Sequence, residues 1–575
     1  MGKVWVKELT GGLDARRLPE TTPGGLLIKG QDGHINPGGE FEKRAAFVAL
    51  YTLPAGTVGL AKDAASLIVF GSDVDPGVPS GVAYQQLVHD TDTLVSVPSF
   101  DLNGGLVYAV GEFDDGSIAH YYDEVEVDDW FDGRASASFR VTGGTGGTQL
   151  TSLKVNGVNI LTGPVAWSTS NFDTAADIAA AINSLTSSPD YTATAVDDRV
   201  NIIAALAGSA ANGRVVDAVV TGAFALTPAS GLVMAGGADS TAFVPGEFVK
   251  TIGSKMYATS GSVMHFSGIR EPTKWTSDTT GAGFFDMAKE TAGAEELFAL
   301  ANYQGFVAVF AETAVLIFYV DPDPDLVRKT QVLANTGTVS PHSVTEFGDA
   351  DIFYLDLSGV RSLKARDSSN SATSADLGTP IDKLITAKLE AMTAAERRGV
   401  IGLINPIDKR FLLCFPDGEI FVFSFFPNAR VSAWTTYETG FPIDDAVVFG
   451  RRAYFRSGDT IYVYGGPDNG AGLVYDDTVA KAWLPAFDAG KPTELKQWQG
   501  MDAAVEGAWQ VYAASEPTDL TVRELIATIT ETTYNKPRIP YNHSTTHVSP
   551  QFETTGSTAA KLSAMVLHYE GGEDG

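Results

Sequence analysis

His543 and His547 stand four positions apart, the spacing at which two helical histidines share a metal ion. They sit in Asn542-His543-Ser544-Thr545-Thr546-His547, which is poor helix material, so exposed strand or loop histidines are expected instead. Asp123, Glu124, Glu126, Asp128, Asp129 and Asp132 crowd one stretch, and Asp321-Pro322-Asp323-Pro324-Asp325 forms a second acidic knot. Carboxylates at that density suit calcium, but neither run has the spacing of an EF-hand loop, and both read as solvated acidic faces. Thr142-Gly143-Gly144-Thr145-Gly146-Gly147-Thr148 lacks the lysine and helix that make a glycine-rich loop hold phosphate, and reads as a flexible turn. Trp275 is either a sugar platform or, the stronger expectation, an aromatic that packs between structural units. Cys414, the sole cysteine, lies in the apolar run Phe411-Leu412-Leu413-Cys414-Phe415 and is expected to be a small buried hydrophobe. Serine-hydrolase elbows, phosphate loops with G-K-[ST] and H-E-x-x-H helices are missing from the sequence. No catalytic, cofactor-binding or metal-binding residue is therefore assigned, and the chain is read as a non-enzyme without a cofactor.

The elements that carry these residues are mostly strands, arranged as hairpins. Lys255 to Phe266 turns at Ser260-Gly261, Phe306 to Tyr319 near Glu312, and Ile352 to Leu363 at Ser358-Gly359. Phe411 to Phe423 turns at Pro416-Asp417-Gly418, and Ala453 to Tyr464 at Ser457-Gly458-Asp459. Turns recurring every 40–60 residues between paired apolar strands are the signature of a β-propeller. Two earlier units fit: Leu67–Phe70 returning towards Ala83-Tyr84, and Leu106–Val110 turning at Asp114-Asp115-Gly116 into Ile118, His120 and Tyr122. The expectation is a mainly β chain whose propeller, of six or seven blades, takes in residues 46–126 and 241–485.

Residues 127–240 have a different character, with five Lys or Arg and ten Asp or Glu among Ala, Thr, Ser, Val and Gly. Asn156-Gly157 is a two-residue hairpin signal. Asp173-Thr174-Ala175-Ala176-Asp177 opens a short helix with Ile178, Ile182 and Leu185 on one face, and a hairpin follows that turns at Asp197-Asp198. The segment is predicted to be a small α+β domain inserted in the propeller. Residues 486–575, with Trp498, Trp509 and the alternating run Ala564 to Tyr569, predict a C-terminal β-sandwich. Residues 1–45, rich in Gly and Pro, predict an N-terminal arm lying over another surface.

Hydrophobic residues make up 44% of the 575 and charged residues 19%, enough apolar material for real cores. Forty Lys and Arg against 70 Asp and Glu leave a formal charge of −30. That balance excludes a protein that grips nucleic acid over its whole surface, since phosphate binding needs a cationic footprint. No apolar run reaches membrane-spanning length and the first residues carry no signal-peptide core, so synthesis in a cytoplasm is expected.

Several segments resemble one family. Gly11-Gly12-Leu13-Asp14, followed by Asn36-Pro37-Gly38-Gly39-Glu40-Phe41-Glu42-Lys43-Arg44, is similar to the opening of the tail nozzle proteins of short-tailed bacteriophages, also called tail tubular protein B or stabilisation proteins. Tyr303 to Glu312, Thr336 to Ser343 with Asp351 to Leu355 and Gly359 to Leu363, Arg538-Ile539-Pro540, and Leu567-His568-Tyr569-Glu570 resemble later patterns of the same family. The inserted segment looks like a decoration found on several phage tail proteins, and is itself a candidate module for binding fibres or a host surface. The resemblance implies a structural virion protein located in the tail of the particle. Its homohexameric ring would lie below the portal and adaptor protein, hold tail fibres or a tip, and form a channel for genome ejection. DNA would be transiting cargo, with no sequence-specific binding and no membrane span. An acidic lining would let the genome slide, although only charges within about 8 Å of it would be felt at physiological salt. The alternative expectation is a glycan-binding or glycan-hydrolysing propeller at a host-facing tail tip, which would need two carboxylates about 5–10 Å apart in a central funnel with aromatic platforms.

Overall fold

The computed structural model describes residues 2–571, apart from 129, 131–132, 238–245, 276–280, 290–294, 322–325, 349–350, 366–371, 468–469, 471 and 535–537. The chain is mainly β. Among the described residues, six small sheets and four strands of a larger one stand around one axis and close into a seven-bladed propeller. Blade one is Val58–Lys62, Leu67–Gly71 and Val82–Gln86. Blade two is Leu94–Asn103, Leu106–Phe113, Ile118–Tyr122 and Val125–Glu126. Blade three runs from Val249–Ile252 to Gly283–Asp286, blade four from Leu297–Tyr303 to Arg328–Ala334, and blade five from Thr345–Phe347 to Ala372–Asp376. Blade six runs from Ile401–Ile404 to Val431–Glu438. Blade seven combines Asp445–Phe449, Arg452–Ser457 and Thr460–Tyr464 with Phe47–Thr52 from the other end of the propeller sequence, which closes the ring.

Each blade's first strand touches the first strand of the next, from Val58–Lys62 round to Asp445–Phe449 and back to Val58–Lys62. The second strands are buried on both faces, which is why Leu67–Gly71 and Phe306–Ala311 read as unbroken apolar runs rather than alternating ones. The space between blades is filled by the second and third strands. Leu316 and Phe318 of blade four pack with Met264 and Phe266 of blade three, while Phe310 and Ile317 on the opposite face pack with Ile352 and Tyr354 of blade five. At about 1.5–3 kcal/mol for each large apolar side chain buried, these contacts are the main stabilisation of the wheel. The recurrent turns of the sequence are the same turn in each blade, between its second and third strands.

Blade one departs from the expected hairpin. Val82–Gln86 runs parallel to Leu67–Gly71, with Val82 opposite Leu67 and Gln86 opposite Gly71. Residues 72–81 carry the chain back to the start of the strand through left-handed positions at Asp75, Gly77 and Gly81. The Tyr84 hydroxyl donates to the Asp73 carbonyl and the Gln86 amide to the Ser72 carbonyl, holding the return in place.

Between blades two and three, residues 134–235 fold around their own core, in which Leu150, Ile178, Ile182 and Ile202 are buried together. The helix Asn171–Asn183 is capped by Ser170, whose hydroxyl accepts from the Asp173 amide. Asn156 and Gly157 both take positive φ in their two-residue turn. The two ends of the unit lie side by side, since Ser136 and Ala235 exchange backbone hydrogen bonds.

The last strand of blade six, Val431–Glu438, continues outward into a much larger sheet through Lys29–Gln31, Lys481–Trp483 and Ser549–Thr554. Lys496–Ala514 pairs with Lys561–Gly571 along its first half and with Ser549–Thr554 along its second, switching partners around Gly507. Trp498, Trp509, Phe552 and Leu567 fill the core so enclosed. The N-terminal stretch is woven into this sheet: Gly2–Val6 pairs with Lys561–Gly571, and Phe41–Lys43 joins the other end of the same strand.

Candidate functional site

The first strands of the seven blades enclose a central cavity of about 800 Å³. Where those strands begin, a short helix, Ala394–Arg398, reaches over the opening. Thr393 and Glu396 fix it with a reciprocal capping box, and its last residue is Arg398. The Arg398 guanidinium sits 2.9 Å from Glu296 and 3.6 Å from Glu247, and covers the face of Phe298 at 5.0 Å. Burial raises the Glu247 carboxyl above its ordinary range, opposed by Arg398. Further along the strands, Lys250 of blade three lies 3.9 Å from Asp101 of blade two and 3.7 Å from Glu346 of blade five. Both carboxylates also accept backbone amides, Asp101 from Thr251 at 2.8 Å and Glu346 from Asn302 of blade four at 2.9 Å.

On the opposite side of the cavity, Arg456 joins blade seven to blade one. Its guanidinium donates to the carbonyls of Gly59 at 2.7 Å and Thr57, and to Gly458 of its own blade at 2.9 Å. Lys62 returns the connection by donating to the Val448 carbonyl. Asp445, at the start of blade seven's first strand, has its carboxyl pushed up to about 6 by burial, with Arg456 opposing the shift and Asp444 adding to it. His342 lines the same cavity, enclosed so that its imidazole falls to about 4 and bonded to the Pro98 carbonyl across from it.

The chemistry available here is that of a stitched hub. Asp101, Glu247 and Glu346 each meet a cation, and the aromatic lining is Phe100 and Phe248, with no tryptophan or tyrosine platform among the residues around the cavity. Among the described residues, no three His, Cys, Asp or Glu side chains converge as metal ligands.

A second polar cluster fastens the N-terminal stretch to blade six. Arg44 is 2% exposed on its side chain; its Nε lies 2.8 Å from Asp32 and its Nη1 3.0 Å from Asp476. Its remaining donors reach the carbonyls of Ala45 and Glu438 and the Thr478 hydroxyl. Burial opposes the charge on Arg44, but Asp32 and Asp476 outweigh it and hold the guanidinium above its ordinary value. Lys43, fully buried, donates to the carbonyls of Asp476 and Gly556, both at 2.7 Å. His34 Nδ1 lies 2.6 Å from the Tyr437 hydroxyl, and Arg410 donates to the Ile35 carbonyl. Gly12, at φ +60°, runs so close to Val431–Glu438 that a Cβ would lie 2.6 Å from the Trp434 carbonyl oxygen, so only glycine fits. Asn36 caps the turn before Glu40, accepting the amides of Gly38 and Glu40.

The residues first considered for chemistry lie elsewhere and do not converge. His543, in a strand, is 2.8 Å from Glu524 and stacks on Tyr541; His547 bonds Thr546. Glu126 pairs with His89 at 2.9 Å, Asp123 and Glu124 form an exposed turn, and Asp129 and Asp132 lie outside the described residues. Of the second knot, Asp321 accepts the Tyr319 hydroxyl and residues 322–325 lie outside the described residues. The glycine-rich segment is a turn whose Gly144 lies against Trp167. Trp275 is buried where blades two and three meet, stacked on Trp130 at 4.8 Å and edge-on to Tyr108. Cys414 is buried, and burial pushes its thiol up. Sequence reasoning missed Arg398, although Thr393-x-x-Glu396 announces its helix. Asp101, Lys250 and Glu346 come from three blades and leave no local signal.

By sequence, no known family and no curated protein matches the chain. Solved structures similar to it include BamB from Moraxella catarrhalis, at 8% identity and TM-score 0.31 over 74% of this chain and 98% of that one. The C-terminal WD40 domain of Sif2 gives the same identity, score and share of this chain over 97% of its own. The computationally designed Ika8 protein gives 10% identity and TM-score 0.29 over 76% of this chain and 99% of its own.

Proposed function

We propose that this protein is a structural subunit of the distal ring, or nozzle, of a short phage tail, assembling as a homohexamer beneath an adaptor protein and carrying fibres or a tip. The observation that carries the reading is what the Gly11-Gly12 and Asn36 to Arg44 segments do. Among the residues on which the resemblance rests are those that clamp the N-terminal stretch between propeller and C-terminal sheet, Gly12, Lys43 and Arg44, while Asn36 shapes the turn between them. A rigid joint of this kind suits a part that bears load in an assembly.

In this reading the genome passes between subunits rather than through a propeller. A cavity of about 800 Å³ is the size of a small-ligand pocket of ~300–1,000 Å³, and Lys250 and Arg398 bridge it from blade to blade. A duplex whose major groove alone is ~12 Å wide would not thread it. The charge of −30 then acts between copies, where a lumen facing Asp and Glu passes DNA without holding it. Quantitative mass spectrometry of purified phage particles tests the proposal: the protein should be present in six copies per particle, and its absence from particles would end the reading.

Asp445 favours a second reading, a glycan-acting channel, because a carboxyl pushed up to about 6 inside a cavity is the state a general acid requires. Hydrolysis of host-envelope glycans by the purified protein, lost in Asp445→Asn, would support it; no turnover by the wild type would remove it.

A further inference from the structure

Successive side chains of a strand point to opposite faces of its sheet, so the large sheet that buries Ala482, Val511 and Phe552 on one side presents their neighbours on the other. On that outward face Lys29, Trp483, Gln551 and Tyr512 lie opposite one another in one row, and Gln31, Lys481, Glu553 and Gln510 in the next. Arg523, from the adjoining strand Arg523–Glu531, spans both rows. Its guanidinium is 2.7 Å from Glu553 and 2.9 Å from Gln551, and lies 4.0 Å over the Tyr512 ring and 5.1 Å over that of Trp483. The Lys29 ammonium also lies 5.1 Å from the Trp483 ring. Burial lowers Lys29 below its ordinary range, Lys481 and Arg523 push it the same way, and Glu553 and Glu438 oppose them. Three cations thus share one patch, and only Arg523 is matched to a carboxylate. Among the described residues, neither Lys29 nor Lys481 makes an ion pair or a side-chain hydrogen bond, although the chain holds 70 Asp and Glu.

Lys29 and Lys481 are diagonal neighbours on adjacent antiparallel strands, an arrangement that sets residues roughly 7–8 Å apart and leaves long side chains able to meet at one point. Two ammonium groups so placed repel, and an anion between them turns that repulsion into attraction. Polar groups with spare capacity flank the pair. The Tyr512 hydroxyl donates to Gln510 Oε1 at 2.9 Å, which leaves the Gln510 N–H groups to donate elsewhere, and Gln31 gives one N–H to Asp32 at 3.2 Å and keeps its carbonyl oxygen. Trp483 and Tyr512, both partly exposed, add aromatic surface. A cation pair beside amides and aromatic rings matches a sugar that carries a carboxylate: the charge meets the lysines, the hydroxyls meet the amides, and the C–H faces meet the rings. Nucleic acid fits less well, because a polyphosphate needs a cationic footprint over its length and this chain is −30 overall. We propose that this face of the C-terminal sheet binds an acidic polysaccharide, with a sugar carboxylate seated between Lys29 and Lys481 and neighbouring hydroxyls on Gln31 and Gln510. The site belongs to a single chain and stands whether or not copies assemble into a ring.

Two measurements on the full chain test it. In titration calorimetry at low salt, oligosaccharides of hyaluronan or of polygalacturonate should bind, and neutral chito-oligosaccharides should not. The pair Lys29→Gln with Lys481→Gln should weaken binding at least about tenfold, the loss expected from removing two charge-assisted contacts. Lys29→Arg with Lys481→Arg should retain most of it, and Lys383→Gln with Lys409→Gln, which removes the same charge from exposed lysines elsewhere, should leave it unchanged. On the wild-type chain, where no variant has to fold, bound oligosaccharide should protect Lys29 and Lys481 from acetylation, read by mass spectrometry. Binding of neither acidic oligosaccharide, or binding that persists in the glutamine pair without protection of these two lysines, overturns the inference. Oligo-dT or polyglutamate that binds through the same lysines as tightly as the sugars overturns the assignment to a glycan. None of these results bears on whether the chain forms a ring, which sedimentation of the wild type reads separately.

Discussion

Replacing Arg44 by methionine removes the centre of the clamp between the N-terminal stretch and the propeller. The guanidinium makes hydrogen bonds to two carboxylates, two carbonyls and one hydroxyl. Its loss strands Asp32, whose side chain is 2% exposed and retains only the Glu438 amide at 3.0 Å and the Gln31 side chain at 3.2 Å. Asp476 is 30% exposed and can hydrate, so the cost concentrates on Asp32. Leaving one member of a buried ion pair alone costs about 3–5 kcal/mol. Arg44→Lys keeps the charge but not the fork of donors, and should cost less, about 1–3 kcal/mol. A chain with several folded units is not a two-state system, so the assay must be local. Hydrogen exchange at the amides of Ala45 and Glu438, followed with denaturant melts, reads the joint directly. Asp32→Asn added to Arg44→Met should recover more than about 1 kcal/mol of the loss, because the two residues interact and their changes are not additive. If Arg44→Met costs under about 1 kcal/mol with unchanged exchange, or the double variant is simply additive, the clamp does not do what is argued for it.

Three further outcomes follow from the same structure. Asp445 titrates at about 6 in the fold against an ordinary 3.8, so its contribution favours the fold at low pH and is lost as pH rises through 6; Asp445→Asn should raise the thermal midpoint at pH 7.5 by an amount equivalent to about 1–3 kcal/mol and leave it nearly unchanged at pH 4. His120 and His342 fall to about 4 and His265 to about 3 through burial, so their contribution is present above pH 6.5 and lost as pH falls towards 4; since His120 lies 4.7 Å from Trp130, the fluorescence of the Trp130–Trp275 stack should change over pH 6 to 3, and a flat titration would show those histidines are not buried neutral. Excised residues 133–237, whose ends are held together at Ser136 and Ala235 and whose core is self-contained, should melt cooperatively with helical circular dichroism; a non-cooperative melt would mean that the propeller holds them folded.

The blades were legible because a sheet buried on both faces writes itself as apolar runs with glycine turns between, and the second and third strands of each blade have that character. Some first and last strands are short, as the three-residue Thr345–Phe347, or mostly exposed, as Arg328–Ala334, and left no clear pattern. The parallel strand Val82–Gln86 looked like a hairpin return because its composition is that of any strand; its direction is set by the positive φ angles at Asp75, Gly77 and Gly81. The inserted unit announced itself by Asn156-Gly157 and by the capped helix, both local signals. Nothing local marks the hub, because Asp101, Lys250 and Glu346 meet only once the ring has closed. The joint at Arg44 is of the same kind: Asp32 is twelve residues away, but Asp476 and Glu438 are some four hundred.

Negative-stain imaging of the purified full-length protein at assembling concentration tests the central claim most directly. The account predicts rings with six-fold symmetry and a central hole, each unit showing a propeller and an attached lobe. Uniform single particles of 60.7 kDa at every concentration would contradict it.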